Sequence, residues 1–146
     1  MKLIECVPNF SEGKDKAVID KIIEPIKSNK NVTLLDVDMG QDTNRTVVTF
    51  IGNPDDVIDI AFECIKIASK LIDISKHSGE HPRMGATDVC PLIPLKNVSM
   101  KECVLLSKAL ASKVGKQLDI SVYLYENSAT NNYRKSLSNI RKGEYE

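Results

Sequence analysis

The sequence predicts an α/β protein of the α+β kind, a split βαβ sandwich in the order βαββαβ, with an added helix, strand and C-terminal tail. Three observations carry that expectation. Short runs rich in Val, Ile and Leu alternate with longer stretches whose apolar residues recur at helical spacing. Two of the runs are joined by a turn too short for a crossover, so they read as a hairpin. The length, 146 residues, is that of one domain, and a hydrophobic fraction of 42% suffices for one core without staples.

Leu3 to Val7 is a short apolar run stopped by Pro8, a first strand. Ser11 is placed to cap the helix that follows, marked by Val18, Ile19, Ile22, Ile23 and Ile26. Pro25 lies inside that pattern and predicts a kink or an end there. Val32 to Val37 is the second strand, Met39 to Asn44 a polar turn, and Arg45 to Ile51 the third strand, ended by Gly52. Asn53-Pro54-Asp55-Asp56 combines a cap, a proline at the first helical position and acids at the positive end of the dipole. The stripe Val57, Ile60, Ala61, Cys64, Ile65, Ala68, Leu71 and Ile72 makes the following helix the best defined. Val89 to Leu95 reads as a strand, at an edge or irregular because of Pro91 and Pro94. Ser99 and Glu102 form a capping box for a helix through Cys103, Leu106, Leu110 and Val114. Ile120 to Tyr125 is a last strand, and the polar tail from Asn127 holds a short helical stretch at Arg134 to Ile140. The order is that of a ferredoxin-like fold with additions.

Composition excludes several classes. Twenty basic and twenty acidic residues cancel, whereas a nucleic-acid binder would carry a basic excess. No run approaches the roughly 20 apolar residues of a membrane span, and no secretory leader pattern opens the chain. Cys6, Cys64, Cys90 and Cys103 show no C-x-x-C spacing and sit among apolar neighbours, so they read as buried reduced thiols. These features point to a soluble cytoplasmic protein.

The chemistry concentrates between Ser75 and Val89. The only two histidines, His77 and His81, are four apart, but Gly79 and Pro82 speak against the helix that a metal pair at that spacing needs. His81 has the side chain best suited to exchange a proton near neutrality, and Pro82 restricts its backbone. Arg83 is able to clamp a carboxylate, and Gly79 and Gly85 let backbone approach a ligand. The bland alternative is a surface connection that happens to carry two histidines.

Asp36 and Asp38 alternate with Leu35 and Val37, so both face one side of their strand, as site groups or as turn formers. The hairpin would bring Arg45 near Asp38, where an ordinary cross-strand ion pair is the simpler reading. The amides of Asn9-Phe10-Ser11-Glu12-Gly13 could cradle an anion or merely cap a helix.

Four stretches carry a resemblance. Glu5-Cys6-Val7-Pro8-Asn9-Phe10-Ser11-Glu12-Gly13, Leu35-Asp36-Val37-Asp38, Thr43-Asn44-Arg45-Thr46 and above all Gly79-Glu80-His81-Pro82-Arg83-Met84-Gly85-Ala86 resemble the N-terminal subdomain of the formimidoyltransferases. The closing Lys142-Gly143-Glu144-Tyr145-Glu146 matches as well, so the resemblance covers the whole chain as one subdomain, 1–146. It implies transfer of the formimino group from N-formimino-L-glutamate to tetrahydrofolate, giving 5-formiminotetrahydrofolate and L-glutamate in histidine breakdown. It implies catalytic roles for His81 and Asp38, and substrate or folate contacts from Arg83, Arg45, Asn9, Glu80 and Gly85. Tetrahydrofolate enters as co-substrate, and no metal is expected. In the family a second, similarly folded subdomain faces this one across the folate, and that half is absent from this chain. The expected partners are therefore a C-terminal subdomain or a second copy in a homodimer, with no nucleic acid and no membrane.

Two other classes compete with the enzyme. One is a stand-alone module that binds folate or an acidic metabolite without chemistry. The other is an interaction protein whose open sheet face pairs two copies. The Glu80-His81-Pro82-Arg83 string favours the enzyme, because binding alone has no evident need for a base of neutral pKa.

Overall fold

The computed structural model describes residues 1–72 and 86–118. Within them an antiparallel sheet is covered by three helices, an α+β arrangement. The elements are β1 (Leu3–Cys6), β2 (Asn9–Phe10), α1 (Lys16–Lys27), β3 (Val32–Gly40), β4 (Arg45–Gly52), α2 (Pro54–Leu71), β5 (Thr87–Val89), β6 (Leu92–Lys96) and α3 (Met100–Leu118). The expected strand at Ile120 to Tyr125, the helix at Arg134 to Ile140 and the tail lie outside the described residues.

β4 is the hub of the sheet. β3 pairs along its whole length on one side, joined by the turn Gln41–Asn44. On its other side β1 pairs Phe50 to Gly52 and β2 pairs Thr46 and Val47. β1 and β2 therefore lie in line, and the break between them falls at Val7-Pro8. Pro8 has no N–H to give, yet its carbonyl accepts from Val48 N at 3.0 Å, so pairing continues across the break. β6 and β5 add to the outer sides of β1 and β2. Their own break, at Cys90-Pro91, is the irregularity that the prolines predict, and both segments are edge strands among the described residues.

Three register slips interrupt the pairing, one of them opposite Leu3 and Ile4, which pair with Lys96 and Pro94 and leave Leu95 as the extra residue. The register slips between Leu34 and Asp36, leaving Leu35 as an extra residue, 53% exposed. It slips again opposite Asn9 and Phe10, which pair with Val89 and Thr87, leaving Asp88 as the extra residue.

Burial alternates along β4. Thr46, Val48 and Phe50 lie under the helices, and Arg45, Val47, Thr49 and Ile51 face the other way. Ile4, Cys6, Phe10, Val48 and Phe50 on the covered face meet Ile19, Ile22, Ile26, Val57, Ala61, Cys64 and Ala68 from the helices. α1 packs on α2, and α2 on α3. The cysteines are free thiols, as expected, and Cys6 Sγ lies 3.5 Å from Cys90 Sγ. Burial pushes the Cys6, Cys64 and Cys103 thiols up from their ordinary pKa.

Helix boundaries mix agreement with correction. Asn53 caps α2 by accepting from Asp56 N at 3.0 Å, with Pro54 at the first position, as its sequence predicts. α1 is capped by Asp15, not Ser11, because Ser11 is buried just past the end of β2 with its amide bonded to Ala86 O. Pro25 does not end α1, which runs on to Lys27. The proline falls in the last turn, where only the bond to the Lys21 carbonyl is forgone. The capping box of α3 is half made. Ser99 Oγ accepts from Glu102 N at 3.1 Å, but the Glu102 carboxylate instead takes Lys2 Nζ at 2.8 Å.

Candidate active site

The sheet face turned away from the helices carries the site residues that the described segments contain. Paired residues of neighbouring strands share a face, so the row Asp38–Val47–Asn9–Val89 runs across it. Arg45, two residues before Val47, lies on the same face one row along. The bulge at Leu35 keeps Asp36 and Asp38 on this side, opposite Thr49 and Val47. Three predicted site residues from three strands, Asn9, Asp38 and Arg45, thus share one face of the sheet.

Their contacts differ from the expectation in one respect. Arg45 is not committed to Asp38 across the hairpin. Its Nε and Nη2 donate to Asn9 Oδ1 at 3.0 and 2.6 Å. The Asn9 carboxamide is itself fixed, because its Nδ2 donates to Val7 O at 2.9 Å. Beyond Nη2, at 4.0 Å, lies Asp88 Oδ2, whose side chain is 1% exposed while that of Arg45 is 16% exposed. The guanidinium is therefore a sheltered cation, bonded to Asn9 of β2 and faced by Asp88 of β5. Asp38 remains exposed at the β3 side of the same face.

The Ser11–Gly13 segment supports this arrangement from below. Ser11 N donates to Ala86 O at 2.8 Å, and Gly13 N donates to Asn44 Oδ1 at 2.8 Å. Thr46 Oγ1 donates to Glu12 O. Lys14 N and Asp15 N both donate to Glu12 Oε2, at 2.9 and 3.0 Å. The Ser11 and Gly13 amides of the stretch read as an anion cradle or a helix cap are thus engaged by protein acceptors. Gly13 is required by space: a Cβ there would lie 2.2 Å from Gly40 O and 2.4 Å from Arg45 N. Asn44 holds φ 51 in the turn, a left-handed conformation that Asn tolerates better than most side chains.

His81, Glu80, Arg83 and Gly85 lie outside the described residues, as does His77. The described chain resumes at Ala86, which is tied to Ser11 beside Asn9. Among the described residues no group of three His, Cys, Asp or Glu side chains is placed to hold a metal ion. Asp88 is the residue that sequence reasoning misses. It closes the polar string without a role of its own there, and its one signal is a carboxylate just before the apolar run that begins at Val89. Its neighbour Arg45 lies 43 positions away, beyond any local pattern.

Comparison with known proteins agrees with the sequence resemblance. The family described as formiminotransferase domain, N-terminal subdomain, matches residues 3–146. A formimidoyltransferase-cyclodeaminase of Dictyostelium discoideum is 53% identical over 145 residues, 99% of this chain and 27% of that protein. A glutamate formimidoyltransferase of Streptococcus pyogenes serotype M1 is 48% identical over 145 residues, 99% of this chain and 48% of that protein. One of Thermoplasma acidophilum is 44% identical over 146 residues, all of this chain and 48% of that protein. The chain thus spans between about a quarter and a half of the length of these relatives. With the match running from residue 3 to residue 146, the chain belongs to the formiminotransferase N-terminal subdomain family.

Proposed function

We propose that this chain supplies the N-terminal half of a glutamate formimidoyltransferase site. The observation that carries the reading is the 48% identity, over 145 residues, to a relative named for that activity. The reaction moves the formimino group from N-formimino-L-glutamate to N5 of tetrahydrofolate, releasing 5-formiminotetrahydrofolate and L-glutamate. N5 attacks the amidine carbon and must lose its proton, and the departing glutamate amine must gain one. A single imidazole of near-neutral pKa serves both steps in turn, and His81 is the residue we assign to it. Asp38, exposed on the sheet face turned away from the helices, is the carboxylate assigned to support the imidazolium. Arg45 and Arg83 are assigned to the substrate carboxylates, because a guanidinium fork matches that group. Asn9, Glu80 and Gly85 complete the substrate and folate contacts.

Residues 1–146 act in this reading as a single subdomain, completed by a C-terminal subdomain over the sheet face turned away from the helices. Val47, Ile51 and Ile93 supply that face with apolar surface, Ile93 being 39% exposed. The sheet fits a ferredoxin-like arrangement if β1 with β2, and β5 with β6, are each taken as one interrupted strand. Its strand order is then β3, β4, β1/β2, β6/β5, antiparallel throughout. Four free thiols suit the reducing cytoplasm, where histidine breakdown would place the enzyme.

The test is transfer by this chain supplemented with the C-terminal subdomain of a relative. His81→Ala should lower turnover by about 10²-fold or more. Turnover like that of the wild type would sink the assignment.

A further inference from the structure

We propose that Asp88 is a positioning residue, acting through Arg45: its carboxylate and the Asn9 carboxamide together hold the guanidinium in place on the sheet face turned away from the helices. The part played by Arg45 toward substrate rests on the proposed transferase function, whereas the anchoring does not.

The β5 bulge is the first argument. With regular pairing after Asn9–Val89, the partner of Phe10 would be Asp88, and its side chain would follow Phe10 into the core under the helices. The register slip gives Phe10 to Thr87 instead and leaves Asp88 as the extra residue. A bulge re-aims the side chain of the residue it inserts, and here the carboxylate reaches to 4.0 Å from Arg45 Nη2.

Burial is the second. A carboxylate with 1% of its side chain exposed is costly unless a positive group or donors compensate it, and Arg45 stands beside it at 16% exposure. At that burial the pair is shielded from the water and salt that make surface pairs weak. The third argument is directional. Asn9 Oδ1 takes Nε and Nη2 from one side of the fork, and Asp88 faces Nη2 from the strand beyond. Two anchors on different strands hold a guanidinium more tightly than either does by itself. A clamp for a substrate carboxylate gains by being oriented before the substrate arrives.

The test needs no ligand at first. The chain has only four arginines, Arg45, Arg83, Arg134 and Arg141, so the Nε–H resonance of Arg45 is assignable by its loss in Arg45→Lys. In the wild-type chain that proton should exchange slowly with solvent. In Asp88→Asn it should exchange faster by about tenfold while the backbone spectrum stays folded, and an unchanged rate would overturn the proposal. Should Asp88→Asn fail to fold, Arg45→Met and the double change Arg45→Met with Asp88→Asn decide by their urea midpoints. Coupling predicts that the double change regains much of the loss, and losses that simply add would overturn it.

With the C-terminal subdomain supplied, Asp88→Asn should raise KM for formiminoglutamate about tenfold and leave kcat within threefold. It should have no further effect in an Arg45→Ala background. Equal further losses in both backgrounds would mean that Asp88 acts independently of Arg45. If the wild-type assembly transfers no formimino group while the Arg45 proton is protected as expected, the transferase reading fails and the anchoring stands.

Discussion

Burial separates the four cysteines into chemically unlike groups. Cys6 and Cys64 have no exposed surface, and the cost of placing a thiolate there pushes their pKa well up. Native protein should therefore react with a thiol reagent at pH 8 more slowly at these two than at half-buried Cys90, and urea should level all four. Stability is linked to pH through the same groups. The unfolded chain loses these protons above the ordinary thiol value while the folded chain retains them, so stability falls as pH rises from there. The slope approaches roughly 1.4 kcal/mol per pH unit for each fully buried thiol, and urea midpoints between pH 8 and 9.5 measure it. Cys64→Ala should flatten that slope, and an equal slope would contradict the account. Asn44 carries a different burden, a positive φ and the acceptor for Gly13 N. Asn44→Ala should cost about 1–3 kcal/mol by loss of the bond and strain of the backbone, read from the urea midpoint.

Among the elements, α2 shows how far local signals reach. Its cap, its N1 proline, its first-turn acids and its apolar stripe as far as Ala68 agree with the structure, because each is satisfied by residues within a few positions, whereas Leu71, expected in the stripe, is 39% exposed. Asn53→Ala should destabilise the protein by about 1 kcal/mol, again by denaturation in urea. α1 shows the limit. Ser11 has the right residue type for a cap, but its amide is claimed by Ala86 and it is buried just past the end of β2, leaving Asp15 to accept from Ala17 and Val18. The β3–β4 hairpin is legible from its short turn, but none of the three register slips is. A bulge is a mismatch between two strands, and one strand's sequence does not contain it.

At the scale of the whole molecule, the proposed function assigns to a second subdomain the sheet face turned away from the helices. Ile93 lies on it opposite Glu5, away from the core. Ile93→Asp should weaken association with a C-terminal subdomain by about tenfold or more in sedimentation while changing the chain's own stability by less than about 0.5 kcal/mol. Undiminished association would remove this face from the interface.

The sequence by itself determined the α+β class, the hairpin, α2, the reduced cysteines and the family. Periodicity, capping and turn chemistry act over a few residues, and the motifs from Glu5 to Ala86 are long enough to be specific. It also singled out Asn9, Asp38 and Arg45 one at a time. Only the tertiary structure decided that Asn9 and Arg45 touch, that Asp38 shares their face without being the partner of Arg45, and that Asp88 belongs beside them. The physical reason is register. Which side chains of four separate strands share a row depends on pairing and on two bulges, and these are set by packing against the common core rather than by any one strand's residues.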